Sequence, residues 1–417
     1  MQNTGVSKRR KRMAEKRRKY IAVGLLLLLT AGLSLGCGKG KETARSGETT
    51  ELFEGVYTMS PAGVLRVNGR GYLQFFDRES DQTVYLCNQA GCNHRDADCS
   101  AYAENLQNAF YANDELYLIQ FYGADRSQVM KANRYGENRQ ILGEMDVSPL
   151  TYTMRIYEDM LYFIGTKWQY EADNSTHTEG LYTFQLKDGT LEALPSVDTG
   201  YLISNVSDFY VTDRYIYTQY TASDTDLNDY FDSATGEFKE IEWDSIVYAY
   251  LLYRTDRQTR ETELLIKEEG GDEVMLTILE AEGESFTIRL RDSILRYEGK
   301  ELAEVLYTYS GDAMSWEVKP LTDGYLIWEL YFEDTGEKTV EQLTNGYVVY
   351  EGRMEYRFRI LENFTETGSF TDPEGNVNYY YGAVGDTLYF GGDATLYYME
   401  LEDFKEGNYE FHFIDID

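Results

Sequence analysis

Residues 159–163 read DMLYF, and this stretch decides the fold because close variants of it recur along the chain. Each copy places an acid or a glycine before a short apolar and aromatic run, which is the signature of a turn that leads into a β-strand. After residue 53 no segment shows helical periodicity over three turns. The other copies are residues 71–75 (GYLQF), 114–118 (DELYL), 213–217 (DRYIY), 323–327 (DGYLI) and 386–390 (DTLYF).

The spacing of these copies predicts a β-propeller. Tyr162 lies 45 residues after Tyr117 and 55 residues before Tyr217, and a wider gap before residue 323 leaves room for a further copy within residues 274–306. Periods of about 40–50 residues with several strands each are typical of propeller blades. Residues 54–417, divided by roughly 50, give about seven repeats. We therefore predict an all-β domain, a propeller of about seven four-stranded blades, although six or eight blades also fit.

The N-terminal 36 residues predict export. They contain nine basic residues and one acid, and residues 21–36 form a run of sixteen residues without a charge. This run is shorter than the roughly 20 residues of a membrane-spanning helix and fits the apolar region of a signal peptide. The small residue Gly36 and then Cys37 follow directly, as in the bacterial lipobox, where the cysteine is lipidated and becomes the mature N-terminus. Ser34 stands where that pattern prefers leucine, so an uncleaved anchor is the alternative.

The rest of the chain divides into a tether and an acidic body. Residues 37–53 are small and polar, which is typical of a flexible tether. Beyond residue 36 the chain has 30 basic and 71 acidic residues, a net charge of −41. Binding of nucleic acid is excluded by this balance, because phosphate contacts require clustered Lys and Arg. The expected partners are the membrane, through the lipid anchor, and an unknown envelope protein or glycan.

A cysteine cluster at residues 87–99 is the densest group of chemically active side chains. It reads CNQAGCNHRDADC and contains Cys87, Cys92, His94 and Cys99. Three thiolates and one imidazole make a complete tetrahedral shell for structural zinc. A disulfide with one free thiol is the second interpretation, because an oxidising compartment permits it. Inert buried thiols are the third. The first two interpretations give this loop a structural role.

These features together resemble a known group of proteins. The lipobox, the tether and the degenerate D-x-L-Y-F repeats are similar to those of the uncharacterised lipoprotein β-propellers of anaerobic Gram-positive bacteria. That group in turn resembles the YWTD propeller of the low-density-lipoprotein receptor and the Tol-associated propeller. A cysteine signature like that of residues 87–99 recurs in the group. The resemblance implies a propeller fold and an extracytoplasmic, membrane-anchored location, and it implies no activity.

A weaker signal lies in an acidic insertion near residues 221–246. Asp224, Asp226 and Asn228 place oxygen atoms at alternate positions, as in a calcium loop. The glycine and glutamate that an EF-hand requires are absent, so a looser calcium site competes with an ordinary acidic surface loop.

The sequence contains no motif that indicates an enzyme. The sequence has no G-x-S-x-G, H-E-x-x-H or phosphate-binding loop motif. We therefore expect a non-catalytic binding module. The alternative is a carbohydrate-active enzyme on the same scaffold, a glycoside hydrolase or lyase whose carboxylates cannot be singled out among so many acids.

Overall fold

The computed structural model consists almost entirely of β-strands. It describes residues 52–54, 57–95, 97–123, 126–150, 153–171, 174–225, 231–232, 237–238, 246–270, 274–334, 352–371, 377, 379–392 and 395–414. Apart from one two-stranded hairpin, the described strands form seven antiparallel sheets, each built from one stretch of the chain. These sheets are the blades of a β-propeller. They are four-stranded except for one extra strand in the first and a split strand in the third, and they confirm the predicted fold class and blade number. Within the described residues, no helix is long and apolar enough to cross a membrane.

The strands of the first three blades have the following bounds. The first blade contains β1 (Leu52–Glu54), β2 (Tyr57–Ser60), β3 (Gly63–Val67), β4 (Leu73–Asp77) and β5 (Gln82–Tyr85). The second contains β6 (Leu106–Ala112), β7 (Glu115–Phe121), β8 (Ser127–Ala132) and β9 (Gln140–Met145). The third begins with a split strand, β10 (Ser148–Pro149) and β11 (Arg155–Tyr157), and continues with β12 (Met160–Glu171), β13 (Asn174–Gln185) and β14 (Leu191–Ala193).

The remaining four blades follow in chain order. The fourth contains β15 (Ile203–Val211), β16 (Tyr215–Ser223), a small hairpin of β17 (Phe231–Asp232) and β18 (Glu237–Phe238), β19 (Tyr248–Asp256) and β20 (Thr262–Gly270). The fifth contains β21 (Leu276–Glu282), β22 (Ser285–Leu290), β23 (Ser293–Glu298) and β24 (Glu301–Thr308). The sixth contains β25 (Ser315–Leu321), β26 (Gly324–Asp334), β27 (Gly352–Glu362) and β28 (Thr365–Thr371). The seventh contains β29 (Tyr379–Val384), β30 (Thr387–Gly392), β31 (Thr395–Glu400), α1 (Leu401–Glu406) and β32 (His412–Ile414).

The repeated motif marks the second strand of a blade. Successive side chains of a strand point to opposite faces, and both faces of a blade are covered by neighbouring blades. Leu161 therefore packs into the contact with the second blade, whereas the next residue, Tyr162, packs against the fourth. Leu116 and Tyr117 divide in the same way between the first and third blades. The motif is apolar at consecutive positions because each of them serves a different neighbour.

One copy of the motif departs from this rule, and one blade has no copy. Residues 71–75 lie at the turn before β4 and do not open a second strand. In the fifth blade, Gly283 and Glu284 form the turn, and Phe286 occupies the apolar position that follows. Residues 274–306, where a further copy is expected, contain β22 and β23, joined through Arg291 and Asp292.

The ring is closed by side-chain packing. Seven clusters of buried apolar residues lie at the seven contacts between adjacent blades, which we call seams. The closing seam joins the seventh blade to the first, where Val64 and Phe76 pack with Tyr398 and Ile414. Each described blade takes its strands from a single stretch of the chain, so no described strand is shared across this seam.

Blades two to seven present two different faces. Their connections between first and second strands have two or three residues each, and we call this side the short-turn face. On this face Asn113 donates to Asp159 (2.7 Å), and Thr322 donates to the Gly385 carbonyl (3.2 Å). Antiparallel order places the connections between second and third strands on the opposite side, which we call the long-connection face. The strand ends at Ser223, Tyr248, Asp334 and Gly352 lie on it, and the twelve-residue strands β12 and β13 extend towards it.

Packing at the closing seam predicts that substitutions at two adjacent residues differ greatly in their effect on the free energy of unfolding. Ile414 is fully buried, whereas Phe413 is 52% exposed. Ile414→Ala should lower the free energy of unfolding by about 2–4 kcal/mol, because it leaves a cavity where no shared strand holds the ring. Phe413→Ala should cost less than about 1 kcal/mol. Urea unfolding of both variants measures the difference, and equal losses would show that the closing seam does not depend on this packing.

Candidate metal centre

The cysteine cluster lies in the loop that joins the first two blades, residues 86–105. Backbone hydrogen bonds attach both ends of this loop to β4 and the turn before it. Leu86 N–H donates to the Leu73 carbonyl (3.1 Å), and Leu73 N–H donates to the Ala101 carbonyl (2.8 Å). Ala103 N–H donates to the Gly71 carbonyl (2.8 Å). The loop is therefore held between these attachments and leads directly into β6.

Two turns of the same chemistry flank the loop, one from each blade. In the turn that starts at Asn68, the side-chain oxygen accepts the N–H groups of residues 70 and 72, and in the turn at Asn133 it accepts those of residues 135 and 137, all at 3.0 Å. Gly71 and Gly136 complete the turns with φ of 81° and 76°. Residues 64–71 (VLRVNGRG) and 129–136 (VMKANRYG) carry this pattern in the sequence. The repeated Asn-x-x-Gly could have revealed the turns, but the sequence reading missed them.

Arg139 fastens the loop to the second turn. Its guanidinium donates to the carbonyl oxygens of Gly136 (2.8 Å), Tyr102 (2.6 Å) and Ser100 (2.5 Å). A Cβ on Gly136 would lie 3.3 Å from the Ser100 oxygen, so the loop also packs closely on this turn. The segment that follows Cys99 is thus fixed against the second blade.

The structure brings all four predicted ligands together. The ligand atoms of Cys87, Cys92, His94 and Cys99 lie within 4.8 Å of one another. His94 Nδ1 is 3.3 Å from Cys99 Sγ. No other group of three or more Cys, His, Asp or Glu side chains within the described ranges is arranged to hold a metal ion.

Local backbone and ring contacts orient the histidine. His94 has φ of 52°, a left-handed conformation that turns its side chain back towards the thiols. Its ring stacks on Tyr85, the last residue of β5, at a centroid distance of 4.4 Å and an interplanar angle of 16°. Cys99 is only 2% exposed, and Cys87 and Cys92 are half-buried. Tyr85 is the second functional residue, with Arg139, that the sequence reading did not identify.

The thiols differ in acidity. Burial would raise the pKa of Cys87, but the Ser100 side chain, the Gln89 backbone and the neighbouring thiols outweigh it and lower that pKa to about 7. Burial, reinforced by the other two thiols, raises the pKa of Cys99 to about 12. A cluster that must hold several thiolates together therefore needs a cation to balance them, which is the normal condition of a cysteine metal site.

The donor set fits zinc or a similar soft divalent ion. Zn–S bonds of about 2.3 Å and Zn–N bonds of about 2.0–2.1 Å place the ligand atoms of a tetrahedral Cys3His site roughly 3.5–3.8 Å apart. The His94–Cys99 distance lies just below this range, and the largest separation in the group exceeds it by about 1 Å. Four protein ligands leave no open position, which is typical of structural sites. The three cysteines are free thiols, and their odd number leaves one over if two of them form a disulfide.

The other predicted sites fall largely outside the described residues. These are the lipidation site Cys37 and the calcium candidates Asp226 and Asn228. Asp224 is exposed and accepts a hydrogen bond from the Leu202 backbone N–H (3.3 Å). Its oxygen thus has a structural use in joining two connections of the fourth blade.

A second feature with functional potential is a set of exposed apolar side chains on the long-connection face. These side chains belong to connections or strand ends of the second, third and fourth blades, so they follow one another around the ring. We call this set the apolar arc. Its members are Phe121 (39% exposed), Tyr122 (52%), Trp168 (36%), Leu202 (66%) and Val247 (54%).

Fold and cluster together define a seven-bladed β-propeller with a Cys3His site at its first inter-blade loop. No protein-family model matches the chain, and no curated protein matches its sequence. Solved structures of similar fold include oligogalacturonate lyase from Vibrio parahaemolyticus (9% identity, TM-score 0.44, 88% of this chain and 86% of that chain covered). Others are an acylaminoacyl peptidase from Pyrococcus horikoshii (10%, 0.45, 85% and 53%) and a putative 6-phosphogluconolactonase from Bacteroides uniformis (12%, 0.40, 88% and 96%).

Metal analysis provides a direct test of the Cys/His site. Residues 38–417, purified without chelator, should contain about one zinc ion per chain, because three thiolates and an imidazole complete its shell. His94→Ala and Cys92→Ser should each lower the bound zinc to a small fraction. His177→Ala, in the β12–β13 hairpin, serves as the control. The measurements are elemental analysis and thiol titration, and three titratable thiols without metal would contradict both the zinc and the disulfide interpretation.

Proposed function

We propose that this chain is a membrane-anchored extracytoplasmic lipoprotein whose propeller is a non-catalytic binding module. The proposal for the location rests on the basic N-terminus, the uncharged run of residues 21–36 and the cysteine that follows it. Lipidation at Cys37 would hold the protein at the membrane, and residues 38–53 would connect the propeller to it. The net charge of −41 beyond residue 36 favours solubility and disfavours binding to anionic surfaces.

The observation that carries the binding role is the apolar arc on the long-connection face. Scattered apolar residues are normal on protein surfaces, but Trp168 and the other members lie on the same face in three consecutive blades. Aromatic side chains in such positions are the usual anchors for sugar rings or protein partners. Connections on this face differ in length from two residues (291–292) to 24 (224–247), which would give the binding module a surface that can vary while the blades remain the same.

The Cys/His cluster has a structural role in this proposal. A zinc ion at Cys87, Cys92, His94 and Cys99 would close residues 87–99 into a compact unit and keep it against the two Asn-x-x-Gly turns. Such a site adds stability to a loop that has little apolar core of its own. The metal would therefore support the junction of the first two blades and take no part in ligand binding.

Lipid anchoring is tested on the mature protein. We expect its N-terminal peptide to begin at Cys37 and to carry a diacylglyceryl group, so that the protein enters the detergent phase on phase separation. Cys37→Ser should abolish both the lipid and the cleavage, as measured by peptide mass spectrometry. A wild-type chain that keeps residues 1–36 would show that the apolar run is an uncleaved anchor.

Binding is tested with defined oligosaccharides of bacterial cell-wall and host type. The soluble body, residues 38–417, should bind at least one of them without forming a product. Trp168→Ala should weaken that binding about tenfold or more, as expected for an aromatic anchor. Tyr135→Ala, an exposed aromatic residue in the connection between β8 and β9 on the short-turn face, should leave the affinity unchanged.

Calorimetry and product analysis decide between three outcomes of this experiment. Equal effects of the two substitutions would remove the apolar arc from the binding site. A cleaved oligosaccharide would support the alternative, a carbohydrate-active enzyme. Absence of binding to every oligosaccharide would contradict a glycan ligand and leave an envelope protein as the proposed partner.

A further inference from the structure

The extra strand of the first blade, β1, lies on the channel side of that blade. First strands of consecutive blades contact one another, as β21 does with β25 and β25 with β29, so these strands surround the central channel of the propeller. In the first blade this place belongs to β2, which contacts β6 of the second blade. One edge of β2 pairs with β3, and the other edge pairs with β1, which also contacts β29 of the seventh blade. The chain therefore adds a strand inside the ring before it builds the first blade.

The direction of β2 shows which end of the channel is which. Its connection to β3, residues 61–62, has two residues like those of the short-turn face. Met59 packs in one cluster with Val384, the last residue of β29 before a short turn. The hydroxyl of Tyr389, in the strand that follows that turn, donates to the Ser60 carbonyl (3.4 Å). The end of β2 at Ser60 is thus its short-turn end.

The register of β1 fixes the side from which the chain arrives. β1 is antiparallel to β2, and it pairs Leu52 with Met59 and Glu54 with Tyr57. Leu52 therefore lies one residue from the short-turn end of β2, and Glu54 lies towards the long-connection face. A strand with this direction is entered from the short-turn side.

We propose that the tether meets the propeller at the short-turn face, so that this face is turned to the anchoring membrane and the apolar arc faces away from it. This orientation rests on the proposed lipid anchor at Cys37, and it specifies where the ligand of the proposed binding module is located. The apolar arc is then presented to glycans outside the anchoring membrane and not to lipid headgroups.

The length of the tether supports a preferred orientation. Residues 38–51 number fourteen, and a chain of that length spans at most about 50 Å when it is fully extended. With about 3.3 Å per residue, strands of six to nine residues such as β7, β16 and β22 make the ring about 20–30 Å deep. To bring the opposite face to the membrane, the tether would have to pass around the rim and then along this depth. That path approaches full extension, which costs conformational entropy.

Charge on the short-turn face indicates that the tether, and no attraction to lipid, sets the orientation. Each of the six first-to-second turns of blades two to seven contains at least one acid, from Asp114 to Asp386. Arg214 is the one basic residue among them. Anionic lipid repels such a face at distances up to about 10 Å at 0.1 M salt. The short-turn face is therefore expected to face the bilayer across a gap.

The test measures how close each face lies to the bilayer. The full-length, lipidated chain is reconstituted into phosphatidylcholine vesicles that contain a rhodamine-labelled lipid as energy acceptor. A genetically encoded fluorescent amino acid replaces Tyr135 on the short-turn face (46% exposed) or, as the matched variant, Leu202 on the long-connection face (66% exposed). We expect the rate of energy transfer from position 135 to exceed that from position 202 about twofold or more, because the two faces are about 20–30 Å apart.

A chain with a longer tether is the control. With about 30 Gly and Ser residues inserted after Ser46, the two transfer rates should approach each other, because the longer tether no longer limits which face comes near the bilayer. Equal rates with the native tether, or a higher rate from position 202, would overturn the proposed orientation. Absence of transfer from both positions in a protein that floats with the vesicles would also overturn it. A chain that does not float with the vesicles would overturn the lipid anchor and the orientation together.

Discussion

The structure depends on the burial of every blade on both faces. An antiparallel sheet in most proteins has one face towards the core and one towards water, and its strands alternate between apolar and polar residues. Here the second strand of a blade is apolar at consecutive positions because Leu161 and Tyr162, or Leu116 and Tyr117, serve two different seams. Each blade is thus completed by its two neighbours, and none has a core of its own. This dependence requires the sheets to continue around the ring until the last one meets the first.

The same arrangement leaves the ends of the strands free to vary. Short turns on one face keep adjacent strands in register, so the sequence there is limited to residues that tolerate tight turns, such as Asn113 and Asp114, which both have positive φ. Connections between second and third strands on the other face vary more in length, from two residues (291–292) to 24 (224–247). The loop between the first and second blades is a separate case. It is attached by backbone hydrogen bonds, by Arg139 and by Leu86, Cys99 and Ala101, which pack into the seam between the first two blades.

Much of the fold could be predicted from the sequence, whereas the surroundings of the site could not. The copies at residues 114–118 and 159–163 revealed the second strands, because apolar runs bounded by turns survive divergence. The copy at residues 71–75 also leads from a turn into a strand, but that strand is β4, because local composition does not say which strand of a blade a turn precedes. The four residues of the Cys/His cluster were found because their spacing is local. Arg139 and Tyr85 were missed because their roles arise from tertiary contacts, and a lone arginine has no pattern that predicts the carbonyl groups it will meet.

The closing seam differs from the other six in the length of chain between the residues that it brings together. Six seams join blades that follow one another in the chain, so their partners are held close together by short connections, of which residues 86–105 are the longest. The seventh seam brings together residues such as Val64 and Ile414, which are separated by almost the whole propeller. The entropic free-energy cost of closing so long a loop exceeds that of a short connection by about 3 kcal/mol, because each doubling of loop length costs about 0.6 kcal/mol. If the packing is similar at all seven seams, the closing seam is the one that separates first. The other six seams can then stay packed in an open ring.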